Sequence, residues 1–220
     1  GVIFFRENSV KVINYSYLAI LLTTSQFVLA DEVQIERKLP ACDYSKLTIN
    51  VPSTIKLVAV GSPSGSVKGT SKELDYLRFK CLDGSLEIST KENVLLNEYF
   101  KFELVNGSLK ELTLNGDQKA DITELSVKHF EMTINGIGKS SLTGQVTSFN
   151  ISLNGVAELD AFKLKSEKGK IEVNGAGIAQ LNVSSKLNAR VNGSGRVEYS
   201  GAPVSIETEI NGRGSITAIP

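Results

Sequence analysis

Apolar and polar positions alternate along most of this chain, and from residue 111 onward the alternation recurs at a fixed interval. Asn-Gly stands at Asn115, Asn135, Asn154, Asn174, Asn192 and Asn211, at spacings of 20, 19, 20, 18 and 19 residues. One residue earlier stand Leu114, Ile134, Leu153, Val173, Val191 and Ile210, and three earlier Leu112, Met132, Ile151, Ile171, Ala189 and Thr208. Between them lie Thr113, Thr133, Ser152, Glu172, Arg190 and Glu209. Period-2 alternation is the mark of a half-buried strand, and a fixed period near 20 is the mark of a repeat architecture. A second strand per repeat follows the corner, with Ile122, Leu142, Ala161, Leu181, Tyr199 and Ala218 seven residues after each Asn. Asn106-Gly107 falls out of phase. No segment after Asp31 carries helical periodicity over three turns.

Asn-Gly between alternating strands signals hairpins, which would give an antiparallel meander. Identical residues at equivalent positions favour stacking instead, because Asn side chains one above another form a hydrogen-bonded ladder and Gly holds each corner. The expectation is therefore an all-β, right-handed parallel β-helix with coils of about 19 residues over 111–220. Residues 31–110 read as an irregular β beginning of the same 31–220 domain. Candidate strands there are Lys46–Val51, Thr54–Val60, Leu74–Lys80, Ser85–Ser89 and Phe100–Val105, with turns at Ser62–Gly65 and Asp83-Gly84. An uncapped C-terminal coil would leave an open edge through which a homo-oligomer could form.

Residues 1–30 have the parts of a secretory signal: a basic flank at Arg6 and Lys11, an apolar run around Leu18–Leu29, and Val28-Leu29-Ala30 before Asp31-Glu32. The run is short for a membrane span, so the expectation is export to the periplasm, cell surface or exterior, with no membrane insertion after cleavage. Without those residues the chain carries 22 basic and 23 acidic groups. That balance offers no basic footprint for nucleic acid.

Cys42 and Cys81 are the two cysteines. They read either as a disulfide, which an exported chain permits, or as two separate buried thiols. His129 is the one histidine and has no second ligand at metal-binding spacing, and the repeats lack the Gly-Gly-x-Gly-x-Asp calcium pattern, so neither metal nor cofactor is expected. The repeat acids recur at no phase that would stack two carboxylates together for glycan cleavage. The outward residues Thr113, Thr133, Ser152, Glu172, Arg190 and Glu209 form the candidate contact face.

Ile134-Asn135-Gly136-Ile137-Gly138, Val173-Asn174-Gly175-Ala176-Gly177, Val191-Asn192-Gly193-Ser194-Gly195 and Ile210-Asn211-Gly212-Arg213-Gly214 resemble the head GIN domain family of putative auto-transporter adhesins. So do Glu36-Arg37-Lys38-Leu39-Pro40 and Leu82-Asp83-Gly84-Ser85-Leu86-Glu87-Ile88. The likeness covers about residues 33–220, and two repeats depart from it: Gly116 is followed by Asp117-Gln118 and Gly155 by Val156-Ala157. The resemblance implies an exported right-handed β-helix with no catalytic residues to carry over. The functional expectation is a non-enzymatic module for adhesion, envelope scaffolding or glycan binding, with a glycan or an envelope protein as partner. The alternative is a polysaccharide lyase or hydrolase.

Overall fold

Alternation translates directly into burial. In the computed structural model, which describes residues 33–91, 94, 96 and 98–220, the repeat residues Leu112 and Leu114, Met132 and Ile134, Ile151 and Leu153, Ile171 and Val173, and Ala189 and Val191 are all at most 1% exposed. Burying one such aliphatic side chain stabilises a fold by roughly 1.5–3 kcal/mol, so these positions form the spine of the core. The signal segment expected over 1–30 lies outside the described residues.

Among the described residues twelve strands and one short helix follow in chain order. They are β1 (Gln34–Lys38), β2 (Lys46–Ile49), β3 (Ser53–Val58), β4 (Ser64–Thr70), α1 (Ser71–Leu74), β5 (Leu77–Leu82), β6 (Ser85–Thr90) and β7 (Phe100–Val105). The repeats supply β8 (Glu111–Gly175), β9 (Ile178–Gly193), β10 (Arg196–Ser200), β11 (Ser205–Gly212) and β12 (Ser215–Ala218). The long β8 is a continuous extended ribbon that bends at Gly116, Gly136, Gly144 and Gly155, whose φ values of +110° to +132° exclude most side chains. Helix α1 is set by its N-cap: the Thr70 hydroxyl accepts from the Glu73 backbone N–H at 3.3 Å and donates to the Glu73 carboxylate at 3.0 Å.

The strands join one sheet in the order β1-β4-β7-β3-β8-β2-β6-β5, with β9 to β12 branching from β8. Here the expectation of a right-handed parallel β-helix is corrected. The chain is all-β, but its sheet is of mixed orientation and curls as a half-barrel, with β1–β4, β4–β7 and β5–β6 antiparallel. The physical reason is local. Asp83 and Gly84 both have positive φ, at 49° and 71°, so the two-residue link between β5 and β6 is a tight reversal that admits only antiparallel neighbours. Strand order is also not sequential, because β2 is inserted between β8 and β6, and β3 between β8 and β7. Parallel pairing does hold between β8 and β9 and between β9 and both β10 and β11.

Gln118 explains one departure from the repeat pattern. It stands where the next repeat has Gly138, and its side-chain amide donates to the carbonyls of Asn115 at 2.5 Å and Val51 at 3.1 Å. It thereby closes the corner between β2 and the first repeat with hydrogen bonds in place of a glycine. At the far end of the repeats β11 pairs with β9 alone, and every residue of it is exposed.

Candidate functional face beside an asparagine ladder

The repeat corners bring the Asn side chains into a single column. Each Asn donates its Nδ2 to the Oδ1 of the preceding one: Asn135 to Asn115 at 2.7 Å, Asn154 to Asn135 at 2.8 Å and Asn174 to Asn154 at 2.8 Å. Asn192 continues to Asn174 at 2.7 Å and Asn211 to Asn192 at 3.0 Å. The column extends beyond the repeats, since Asn115 donates to Asn50 at 2.6 Å and Asn50 to the Glu87 carboxylate at 3.0 Å. Asn50 is not followed by Gly, yet Leu47-Thr48-Ile49-Asn50 matches Leu112-Thr113-Leu114-Asn115 position for position, which is the signal that marks it. Amides aligned head to tail polarise one another, so the ladder acts as a stiffening rail along the sheet. Replacing Asn154 with Ala removes two of its bonds and is expected to lower the unfolding free energy by about 1–2 kcal/mol in urea titration.

The six candidate contact residues, each two positions before an Asn of the ladder, run alongside this rail. Register places Glu172 opposite Arg190 and Arg190 opposite Glu209, and Thr113 opposite Thr48 of β2. Thr113, Thr133 and Ser152 are half-buried hydroxyls in the middle of the face, whereas Arg190 and Glu209 are exposed at its end. Arg190 and Glu209 form an ion pair at 2.7 Å, and Glu172 accepts from the Asn192 amide at 3.3 Å. A parallel file carries Lys46 paired with Glu111 at 2.9 Å and Lys186 paired with Glu207 at 2.8 Å. His129, the expected non-ligand, bridges the Ser148 hydroxyl at 2.8 Å and the Glu131 carboxylate at 3.1 Å.

Two carboxylates at the β11 end are held below the ordinary value of 4.5. Glu207 is lowered by its hydrogen bond and attraction to Lys186, and Glu209 first by the Asn211 amide and then by Arg190. A depressed carboxylate stabilises the fold above its unfolded pKa and loses that contribution as pH falls through the folded value. Acidification from pH 5 to pH 3 is therefore expected to lower the protection of β11 amides, taken against intrinsic exchange at each pH, before that of β9, and high salt to shrink the difference. An unchanged β11 exchange profile would reject these two pairings as a clasp on the edge strand.

Several acids elsewhere are taken by a neighbour. Asp121 accepts from Ser141 at 2.5 Å, Glu158 pairs with Lys139 at 2.9 Å, and the Tyr99 hydroxyl donates to Asp117, which raises the phenol pKa. Among the described residues no group of three His, Cys, Asp or Glu could hold a metal ion, and no helix is long and apolar enough to cross a membrane. Cys42 and Cys81 are bonded to each other, with their Cα atoms 5.9 Å apart.

Against known families, the profile described as putative auto-transporter adhesin, head GIN domain, matches residues 43–203. The chain belongs to the head GIN domain family. A crystal structure of a putative adhesin from Bacteroides fragilis superposes with a TM-score of 0.72 at 18% identity, covering 86% of this chain and 98% of that chain. At that identity it is similar in fold alone. Structures of a putative lipid binding protein from Parabacteroides distasonis and a putative adhesin from Parabacteroides merdae give a TM-score of 0.49, at 20% and 15% identity, each covering 86% of this chain and 98% of that one. No curated protein matches the chain.

Proposed function

We propose that this GIN-domain chain is a non-enzymatic adhesion module, displayed outside the cytoplasm, which meets a glycan or an envelope protein through the face beside the asparagine ladder. The observation that carries the reading is the face itself: hydroxyl, amide and paired charged side chains set in register on a sheet that the ladder stiffens. Such a surface suits an extended partner, because contact is spread over several strands and needs no deep pocket. The adhesin description of the family supports the same reading, and a disulfide is the expected cross-link of an exported β domain.

The test is to incubate the purified chain with immobilised polysaccharides, peptidoglycan and envelope-protein extracts, reading retained protein and newly released reducing ends together. Retention without release supports the module. Release of ends, abolished by mutating one acid, replaces it with an enzyme. Retention that survives substitution of Thr133, Ser152, Glu172 and Arg190 together would move the contact to another face.

A further inference from the structure

Positive charge gathers along one segment of this surface. Lys163, Lys165, Lys168 and Lys170 lie in the run Lys-Leu-Lys-Ser-Glu-Lys-Gly-Lys, where Glu167 is the one acid. All four lysines are exposed, and among the described residues none of them forms an ion pair, in contrast to Lys46, Lys139, Lys186 and Arg190.

The backbone that carries them is irregular and braced. Pairing of β8 with β9 slips between Ala161 and Lys165 and again between Ser166 and Lys168. Three side chains hold the slipped segment: Asn182 donates to the Phe162 carbonyl at 3.2 Å, Ser166 to the Asn182 carbonyl at 2.7 Å, and Ser184 to the Ser166 carbonyl at 3.1 Å. Bulges re-aim side chains out of the regular in–out alternation, and here they do so within the lysine run.

Beside the run is a shallow depression of about 330 Å³, lined by Lys168, Lys170 and Lys186 together with His129, Asn150 and Asn188. Its floor depends on Gly169. A Cβ there would lie 2.5 Å from the Phe149 ring, so glycine lets the backbone rest on that ring while the flanking lysines rise on either side. Lys170 stands opposite Asn188, next to the Glu172–Arg190 pair, so the depression opens onto the margin of the ladder face.

We infer that this lysine strip binds an acidic polysaccharide, a chain bearing carboxylates or sulfates along a polyhydroxylated backbone; the inference rests on the adhesion reading and names its ligand class. The cations form an array and not a single cradle. Alternate residues of a strand lie about 6.6–6.8 Å apart, which sets the spacing of Lys168 and Lys170, and Lys168 stands opposite Lys186 on the neighbouring strand, while Lys163 and Lys165 lie beyond the bulge. Between them stand amides that can give and accept hydrogen bonds with sugar hydroxyls. A lipid surface fits less well, because the strip has no exposed apolar side chain to insert; Phe149 is 2% exposed. Nucleic acid fits less well too, because the strip holds lysines without an exposed aromatic on which a base could stack.

The test uses the purified, disulfide-intact chain with polygalacturonate and dextran sulfate as carboxylate and sulfate probes, and neutral dextran as control, in about 0.15 M salt. The variants are Lys163→Gln, Lys165→Gln, Lys168→Gln and Lys170→Gln combined, with the exposed Lys38→Gln, Lys56→Gln, Lys72→Gln and Lys80→Gln combined as a charge-matched control elsewhere; thermal melting verifies that both fold. Binding to one or both polyanions, weakened about tenfold or more in the strip variant and unchanged in the control, is expected, with the preferred probe telling carboxylate from sulfate. Equal binding to neutral dextran, or wild-type affinity in the strip variant, overturns the inference. So does an absence of polyanion binding. In that last case, retention on the panel used for the adhesion test leaves that reading standing, and failure in both assays removes both.

Discussion

Gly155→Ala is expected to lower the unfolding free energy by about 3–5 kcal/mol, a large share of the roughly 5–15 kcal/mol that holds a typical domain together. Gly155 has φ +128°, a conformation that L side chains rarely adopt, and its added Cβ would meet the Gly136 carbonyl oxygen at 2.3 Å. Neither partner can move cheaply, because both are backbone in mid-ribbon. The same contact recurs along the column, with Gly175 against Gly155 at 2.5 Å and Gly193 against Gly175 at 2.5 Å. Asn and Gly therefore have separate tasks at each corner: the amide joins one repeat to the next, and the missing Cβ lets the repeats approach closely enough for it to do so. Gly84→Ala isolates the conformational part, since Gly84 also has positive φ, at +71°, but an added Cβ there meets nothing within 4 Å. It is expected to cost about 1–2 kcal/mol. Urea midpoints of the two variants measure the difference, and equal losses would show that close approach of the repeats contributes nothing.

The in–out pattern of the repeats was legible because it depends on neighbours along the chain. Leu112 and Leu114 face inward whatever strand lies beside them, so burial follows from phase. Strand direction does not follow from phase. Asn-Gly serves either orientation, and which strand neighbours which depends on the insertion of β2 and β3 among strands far away in sequence. Two strands escaped altogether. β1 is exposed along its whole length, so no apolar alternation marks it. β4 needs small residues where it crosses β7: a Cβ at Gly65 would lie 2.7 Å from the Glu103 carbonyl oxygen, and the resulting Ser-Gly-Ser pattern reads as a turn. The outward phase of the candidate contact residues was legible by the same argument as the core. The lysine strip was not, because the depression beside it and the bulges within it appear only in the fold.

Breaking the Cys42–Cys81 bond is expected to cost about 4 kcal/mol, the chain-entropy value for a closed loop of this size. The bond spans 39 residues of sequence and so encloses β2, β3, β4 and α1. Its position makes it more than a general constraint. Among the described residues β5 is the last strand on its side of the sheet and pairs with β6 alone, so there Cys81 is tied to the body of the fold through one hairpin and this covalent link. Cys81 is exposed, which lets a reductant reach the bond in the folded protein. Reduction should therefore act in two stages that hydrogen exchange can separate. Protection in β5 and β6 falls first, while the repeat core around Ile151 and Leu153 keeps its protection until global unfolding. Dithiothreitol-treated protein and the Cys42→Ser, Cys81→Ser double variant should agree in their urea midpoints. A loss below about 1 kcal/mol in both would mean that residues 42–81 are already constrained in the unfolded chain, and the bond would then lock a hairpin without stabilising the domain.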